Sequence, residues 1–177
     1  MNSIVAIVGR PNVGKSTLFN RLVKQKKAIT DSQSGVTRDR HYGKGEWNGK
    51  QFSLIDTGGY IVGGDDFFEK EIDYQVELAI EEADLIIFLV DVQTGITEED
   101  LKVNNLLKKS NKKVFLLVNK FDNSSFQGLE AEFFKLGYKD IYSISANNGL
   151  GSGDFMDALA KNLSSSSEDL NQELPQF

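Results

Sequence analysis

Four short segments of this 177-residue chain carry side chains that together could hold a nucleoside triphosphate. Gly9-Arg10-Pro11-Asn12-Val13-Gly14-Lys15-Ser16 fits the phosphate-loop pattern Gly-x4-Gly-Lys-[Ser/Thr], and Thr17 continues it into a helix. A helix N-terminus offers unpaired N–H groups and a partial positive charge to phosphate. Gly9 and Gly14 let the backbone curl around a β-phosphate, Lys15 reaches the β- and γ-phosphates, and the Ser16 hydroxyl ligates Mg²⁺. A bare glycine turn between strand and helix is the competing reading of this segment alone.

Asp56-Thr57-Gly58-Gly59 follows at the end of an apolar run. A carboxylate there can hold Mg²⁺ through a water, and Gly58-Gly59 leaves a backbone N–H for the γ-phosphate in a segment able to move when that phosphate leaves. Asp-x-Gly is also a common turn, so the weight of this segment lies in its place after the phosphate loop. Asn119-Lys120-Phe121-Asp122 closes another apolar run. The Asp122 carboxylate can accept from N1–H and the 2-amino group of guanine. Adenine offers neither donor, and a buried carboxylate left unpaired discriminates steeply. The Lys120 stem can lie over the base, Asn119 can tie this loop to the phosphate loop, and in Ser145-Ala146-Asn147 the Ala146 N–H can donate to the guanine O6. An Asx turn on the surface would explain the third segment alone but not the set of four.

Between the first helix and the next strand, Gly35-Val36-Thr37-Arg38-Asp39 offers Thr37 as the threonine that closes over Mg²⁺ and the γ-phosphate; other Thr and Ser residues share that loop. His41, the only histidine, reads as a hairpin-edge residue with no catalytic part, and Lys24, Lys26 and Lys27 read as a solvated helix end.

The elements that must position these residues alternate between apolar runs and helical patterns, the signature of a mostly parallel sheet. Ile4 to Val8 predicts a buried strand and Lys15 to Gln25 a helix with Leu18, Phe19, Leu22 and Val23 on one face. Gly43 to Trp47 and Gln51 to Asp56 flank Asn48-Gly49, a strong hairpin signal, so these two strands should be antiparallel. Phe67 to Ala83 carries Ile72, Val76, Ala79, Ile80 and Ala83 on a helical stripe. Leu85 to Val90 and Lys113 to Val118 are continuous apolar strands, as in a sheet covered on both faces. Thr97-Glu98-Glu99-Asp100 starts a helix with Thr97 as its cap. Gly128 to Leu136 reads as helical and closed by Gly137. Ile141 to Ile144 gives a last strand and Asp154 to Leu163 a last helix. The serine-rich, acidic segment from Ser164 to Glu173 reads as a flexible tail or linker.

Length leaves room for one domain, taken as residues 1–163, with 164–177 as the tail. No stretch approaches the run of about 18 apolar residues that a membrane span needs. The first strand begins at once, without a basic leader or a cleavage pattern. Absence of cysteine removes disulfides and thiolate metal sites and suits a reducing cytoplasm. Asp and Glu number 26 against 20 Lys and Arg, a net charge of −6, which argues against a surface built to neutralise nucleic-acid phosphates.

These residues also carry a family resemblance, covering roughly residues 3 to 163. The pattern is similar to that of translation-factor-class small GTPases. More narrowly, the segment from Gly9 through Thr17-Leu18-Phe19-Asn20, together with Gly35-Val36-Thr37-Arg38-Asp39-Arg40 and Asp56-Thr57-Gly58-Gly59, resembles the first G domain of the Der (EngA) GTPases. Those bacterial proteins carry two tandem GTPase domains and a KH-like domain and act in assembling the large ribosomal subunit. The resemblance implies GTP and GDP as ligands and an N-terminal piece of a longer cytoplasmic protein, with residues 164–177 where the interdomain linker lies. It further implies ribosomal contact through domains absent from this chain, little direct nucleic-acid binding by this domain, no membrane association, and a monomer. Many phosphate-loop GTPases place a water-orienting glutamine where this chain has Tyr60. Some members with a hydrophobic residue there use K⁺ held partly by the asparagine that Asn12 matches. Lys15, Asn12, Thr37 and the Gly59 backbone are then the groups expected to act on the phosphates, with Arg38 and Arg40 as further candidates.

The resulting expectation is an α/β phosphate-loop G domain with a doubly wound, mostly parallel six-stranded sheet and one antiparallel edge strand, hydrolysing Mg²⁺·GTP slowly. One rival is a nucleotide-dependent binding module with negligible hydrolysis. Another, an ATP-dependent kinase, would leave Asn119-Lys120-Phe121-Asp122 without a purpose.

Overall fold

Strand β1 (Ser3–Val8) sends Val5 and Ile7 to one face of the sheet and Ala6 and Val8 to the other, and all four are fully buried. Strands β4 (Leu85–Asp91) and β5 (Lys113–Asn119) repeat this two-sided burial, with Ile87, Leu89, Phe115 and Leu117 facing one core and Ile86, Phe88, Leu116 and Val118 the other. Strands that bury both faces must be covered on both, and helices do this. The computed structural model describes residues 3–10, 13–23, 41–47, 49–57, 76–120, 128–146, 149 and 151–173.

The sheet has six strands in the order β2-β3-β1-β4-β5-β6, where β2 is His41–Trp47, β3 is Lys50–Asp56 and β6 is Ile141–Ser143. All neighbours are parallel except β2 and β3. That pair is bracketed by Trp47 opposite Lys50, the register that a two-residue Asn48-Gly49 connection imposes. Helix α1 (Lys15–Leu22) packs Leu18, Phe19 and Leu22 into the same core as Phe155 and Leu159 of α4 (Ser152–Glu173). On the opposite face lie α2, described over 76–82, with Val76, Ala79 and Ile80, and α3 (Glu98–Ser110), with Leu107. Two cores on two faces make the fold doubly wound, as the alternation of patterns predicts. Among the described residues no helix is long and apolar enough to cross a membrane.

Strand ends fall within two residues of the sequence expectation, and α1, the segment Leu129–Leu136 and α4 differ from it in extent or type. Helix α1 closes at Val23, its C-cap, instead of running to Gln25. Val23 still reaches the core, whereas Lys24 and Gln25, polar in sequence, lie outside the described residues. The segment Leu129–Leu136 is a 3-10 helix, bounded by Gly128 and Gly137. Three residues per turn align Phe133 with Leu136, and these are the two it buries. Helix α4 continues to Glu173, well past Leu163, so the backbone of 164–173 is helical where a flexible tail was expected. Its buried stripe of Phe155, Met156, Leu159, Ala160 and Leu163 supplies the nucleus. Propagation from an existing turn then costs little per serine, and no Gly or Pro interrupts the chain before Pro175. The first part of the predicted Phe67–Ala83 helix lies outside the described residues.

Candidate functional site

Parallel strands bring their carboxyl ends to one edge, the place where open α/β sheets bind ligands. Here that edge collects Gly9 after β1, Asp56 at the end of β3, Asp91 at the end of β4 and Asn119 at the end of β5. Ile7 is in register with Asp56, and Asp91 with Asn119. The Thr57 hydroxyl donates to the Ile7 carbonyl at 3.1 Å and pins the end of β3 against β1.

Backbone geometry explains the glycines of the phosphate loop. A Cβ on Gly9 would stand 2.7 Å from the Leu89 carbonyl oxygen. Gly14 is the N-cap of α1 with φ 106°, and a Cβ there would meet Asn119 Nδ2 at 2.3 Å. The cap is a glycine and the first turn holds no acid, so among the described residues no side chain caps the positive end of α1. Lys15 is buried at the start of that helix, and its ammonium donates to the carbonyls of Gly9 at 2.8 Å and Arg10 at 2.9 Å. Burial pulls the Lys15 amine down from 10.5 to about 8; the Asp56 carboxylate opposes this and the Arg10 guanidinium adds to it. At neutral pH the ammonium is therefore still charged. Ser16 and Thr17 are exposed on the first turn.

Asn119 joins the segment before α1 to the segment after β6. Its Nδ2 donates to the Val13 carbonyl at 2.8 Å, and its Oδ1 accepts from the Ala146 N–H at 2.9 Å. The tie read from the sequence is present. The Ala146 N–H, expected to serve the guanine O6, is directed to Asn119 in this geometry. Lys120 adopts a left-handed backbone (φ 69°), and its ammonium pairs with Asp91 at 3.2 Å. Ser145 and Ala146 are both buried. Arg10 turns its side chain away from the loop, Nη2 donating to Thr94 Oγ1 at 2.7 Å and Nε standing 3.3 Å from Asp100 Oδ1.

Three participants went unread in the sequence. Asp91 anchors Lys120 and accepts the Gln93 N–H at 2.8 Å. Arg21 donates from Nε to the Ala146 carbonyl at 2.7 Å, so α1 steadies Ala146 directly. Asp100 faces Arg10. The end-of-strand position of Asp91, shared with Asp56 and Asn119, was the one signal available. Pro11, Asn12, Thr37, Gly58, Gly59, Tyr60, Asp122 and Asn147 lie outside the described residues, as do Arg38 and Arg40.

The groups that would face a metal ion are oxygen donors. Asp56 is a fully buried carboxylate beside the Lys15 charge, and Ser16 places a hydroxyl on the first turn of α1. Such a set suits a hard, octahedral cation such as Mg²⁺.

A glycine loop turning from β1 into a helix with an uncapped positive end, a buried lysine within it, and a second loop tied to it through one asparagine define a phosphate-loop nucleotide-binding domain. The chain belongs to the family described as 50S ribosome-binding GTPase, whose model matches residues 4–120. It is 59% identical over 177 residues to the GTPase Der of Christiangramia forsetii, covering 100% of this chain and 41% of that protein. The GTPase Der of Bacteroides thetaiotaomicron is 52% identical over 178 residues, with 100% and 41% covered. The chain thus spans 41% of the length of these relatives. Among solved structures, Aquifex aeolicus Era bound to GDP and AlF4⁻ is similar with a TM-score of 0.73 and 31% identity, over 92% of this chain and 57% of that one. Era in complex with MgGDPNP and a segment of 16S ribosomal RNA is similar with a TM-score of 0.73 and 32% identity, over 90% and 56%.

Proposed function

We propose that this chain is the GTP-binding and GTP-hydrolysing switch domain of a bacterial protein that acts on the large ribosomal subunit. The observation that carries the reading is the double hydrogen bond of Asn119, which ties Val13 of the phosphate loop to Ala146 of the base loop. A rigid span between the two fixes the distance between phosphates and base, as a nucleotide-specific site requires.

In this reading the uncapped N-terminus of α1 and the Lys15 ammonium hold the β- and γ-phosphates. Lys15 leaves its loop carbonyls to do so, and its lowered affinity for a proton still keeps it cationic at neutral pH. Mg²⁺ would be held by Ser16, by Asp56 through water and by Thr37, and would neutralise charge on the β- and γ-oxygens. Asp122 selects guanine, Lys120 covers the base, and Arg21 steadies the carbonyl of Ala146 next to it. Thr37 and Gly59 sense the γ-phosphate, so the two segments that carry them change with hydrolysis. Tyr60 replaces the water-orienting glutamine, and Asn12 would help hold a K⁺ ion, which would supply the charge that an arginine finger gives elsewhere.

Residues 1–163 form the G domain in this proposal, and 164–177 connect it to the parts of its relatives that lie beyond this chain. Those parts carry most of the ribosome affinity, because the net charge of −6 repels RNA at long range. The protein works as a monomer in the cytoplasm. Phosphate release from GTP and from ATP under the same conditions tests the enzymatic reading. Turnover of GTP that Lys15→Met abolishes supports it; no turnover with GTP bound leaves a binding switch, and equal turnover of ATP overturns guanine selection.

A further inference from the structure

Arg10 belongs to the phosphate loop by sequence, yet its guanidinium serves another element. Nη2 donates to Thr94 Oγ1 at 2.7 Å in the β4–α3 connection, and Nε stands 3.3 Å from Asp100 Oδ1 in α3. Asp100 is fully buried and holds two partners at once. Its Oδ2 accepts from the Thr97 N–H at 2.9 Å, closing the capping box of α3, while Oδ1 faces Arg10. An amide or a longer acid could close a capping box. A short carboxylate whose second oxygen is turned toward a nearly buried guanidinium does more than the cap demands. Thr94 is itself held, its hydroxyl donating to the Gly95 carbonyl at 3.0 Å.

The other end of Arg10 lies in the site. Its carbonyl accepts from Lys15 Nζ at 2.9 Å. One continuous path therefore runs from the α3 cap through Asp100 and Arg10 to the lysine that the GTP reading assigns to the phosphates. We propose that Asp100 is a positioning residue for the phosphate loop, acting through the Arg10 guanidinium to fix the loop backbone beneath Lys15. Among the described residues, Asp100 reaches the loop only through the Arg10 side chain. It sets the loop against α3, so that α3 and the phosphate loop shift together.

The proposal rests on the GTP reading, and the experiment separates the two. Affinity for a fluorescent GDP, GTP turnover and the melting temperature are measured for the wild type, Asp100→Asn, Thr97→Ala and Arg10→Met. Asp100→Asn keeps the size and a capping acceptor but loses the charge facing Arg10. Thr97→Ala removes the hydroxyl half of the same cap and leaves the Arg10 contact intact. Asp100→Asn is expected to weaken GDP by roughly tenfold or more, a loss carried in KM more than in kcat. Thr97→Ala should lower the melting temperature while leaving affinity within about twofold of the wild type. Arg10→Met should match Asp100→Asn, and combining the two should add little, because each breaks the same contact. Should Asp100→Asn fail to fold, Arg10→Met carries the test. Unchanged affinity in the folded variants, or an equal loss in Thr97→Ala, would overturn the proposal and reduce Asp100 to a helix cap. A wild type that binds no GDP would overturn the GTP reading itself.

Discussion

Asn119→Ala removes both hydrogen bonds that hold the two loops together. Asn119 is 2% exposed, as is Ala146, and Val13 is fully buried, so the Val13 carbonyl and the Ala146 N–H would be stranded inside the protein. Leaving a buried polar group without a partner costs about 1–3 kcal/mol, so two such groups cost about 2–6 kcal/mol. A water entering the vacated space would bring the loss toward the lower end. Against a total stability of about 5–15 kcal/mol this is a large fraction. For a domain of this size it corresponds to a fall in melting temperature on the order of 5–20 °C. Urea unfolding followed by circular dichroism measures it, and Asn119→Asp is the companion variant. The aspartate keeps an acceptor for Ala146 but turns an oxygen toward the Val13 carbonyl, so it should be at least as destabilised. A loss below about 0.5 kcal/mol in Asn119→Ala would refute the argument, since only a surface side chain behaves in that way.

The Lys15 amine is lowered from 10.5 to about 8 chiefly by burial, with Asp56 opposing and Arg10 assisting. The unfolded chain then holds this proton more tightly than the folded one, so the Lys15 contribution to stability rises with pH between about 8 and 10.5. The wild type should therefore gain stability relative to Lys15→Met as the pH rises from about 8 to 10.5, read as the difference in urea midpoint of nucleotide-free protein; a pH-independent difference contradicts the burial argument. Phe155 stacks edge-on against Phe115 at 5.8 Å and Tyr142 at 5.9 Å, and Phe155→Ala should cost about 3–5 kcal/mol by chemical denaturation. GTP hydrolysis should run faster in KCl than in NaCl at equal ionic strength, with Asn12→Ser blunting the difference; equal rates in the two salts exclude a K⁺ role.

Much of the fold is legible in the sequence because burial on both faces of a strand leaves an unbroken apolar run. Leu85–Asp91 and Lys113–Asn119 are such runs, and each ends at a polar residue of the site. The hairpin follows from Asn48-Gly49, and the start of α3 from Thr97 with Asp100 three residues on. Local chemistry announces these elements. The pairings between Arg10 and Asp100, Lys120 and Asp91, and Arg21 and Ala146 do not announce themselves, since each joins residues far apart in the chain that only the sheet order brings together. The same limit explains the extent of α4. A serine-rich segment has no apolar period to read, and it becomes helical as the continuation of a helix that is anchored elsewhere.

Guanine selection by Asp122 is the claim on which the whole account turns, and competition against fluorescent GDP tests it directly. GTP should displace the probe from the wild type at concentrations lower than ATP by about 10⁴-fold, the discrimination expected when a buried acceptor is left unpaired. Asp122→Asn should lose that preference and favour xanthosine triphosphate, whose 2-carbonyl can accept from the amide. Displacement of the probe by ATP and GTP at equal concentrations, or an Asp122→Asn variant that still prefers GTP, would contradict the account.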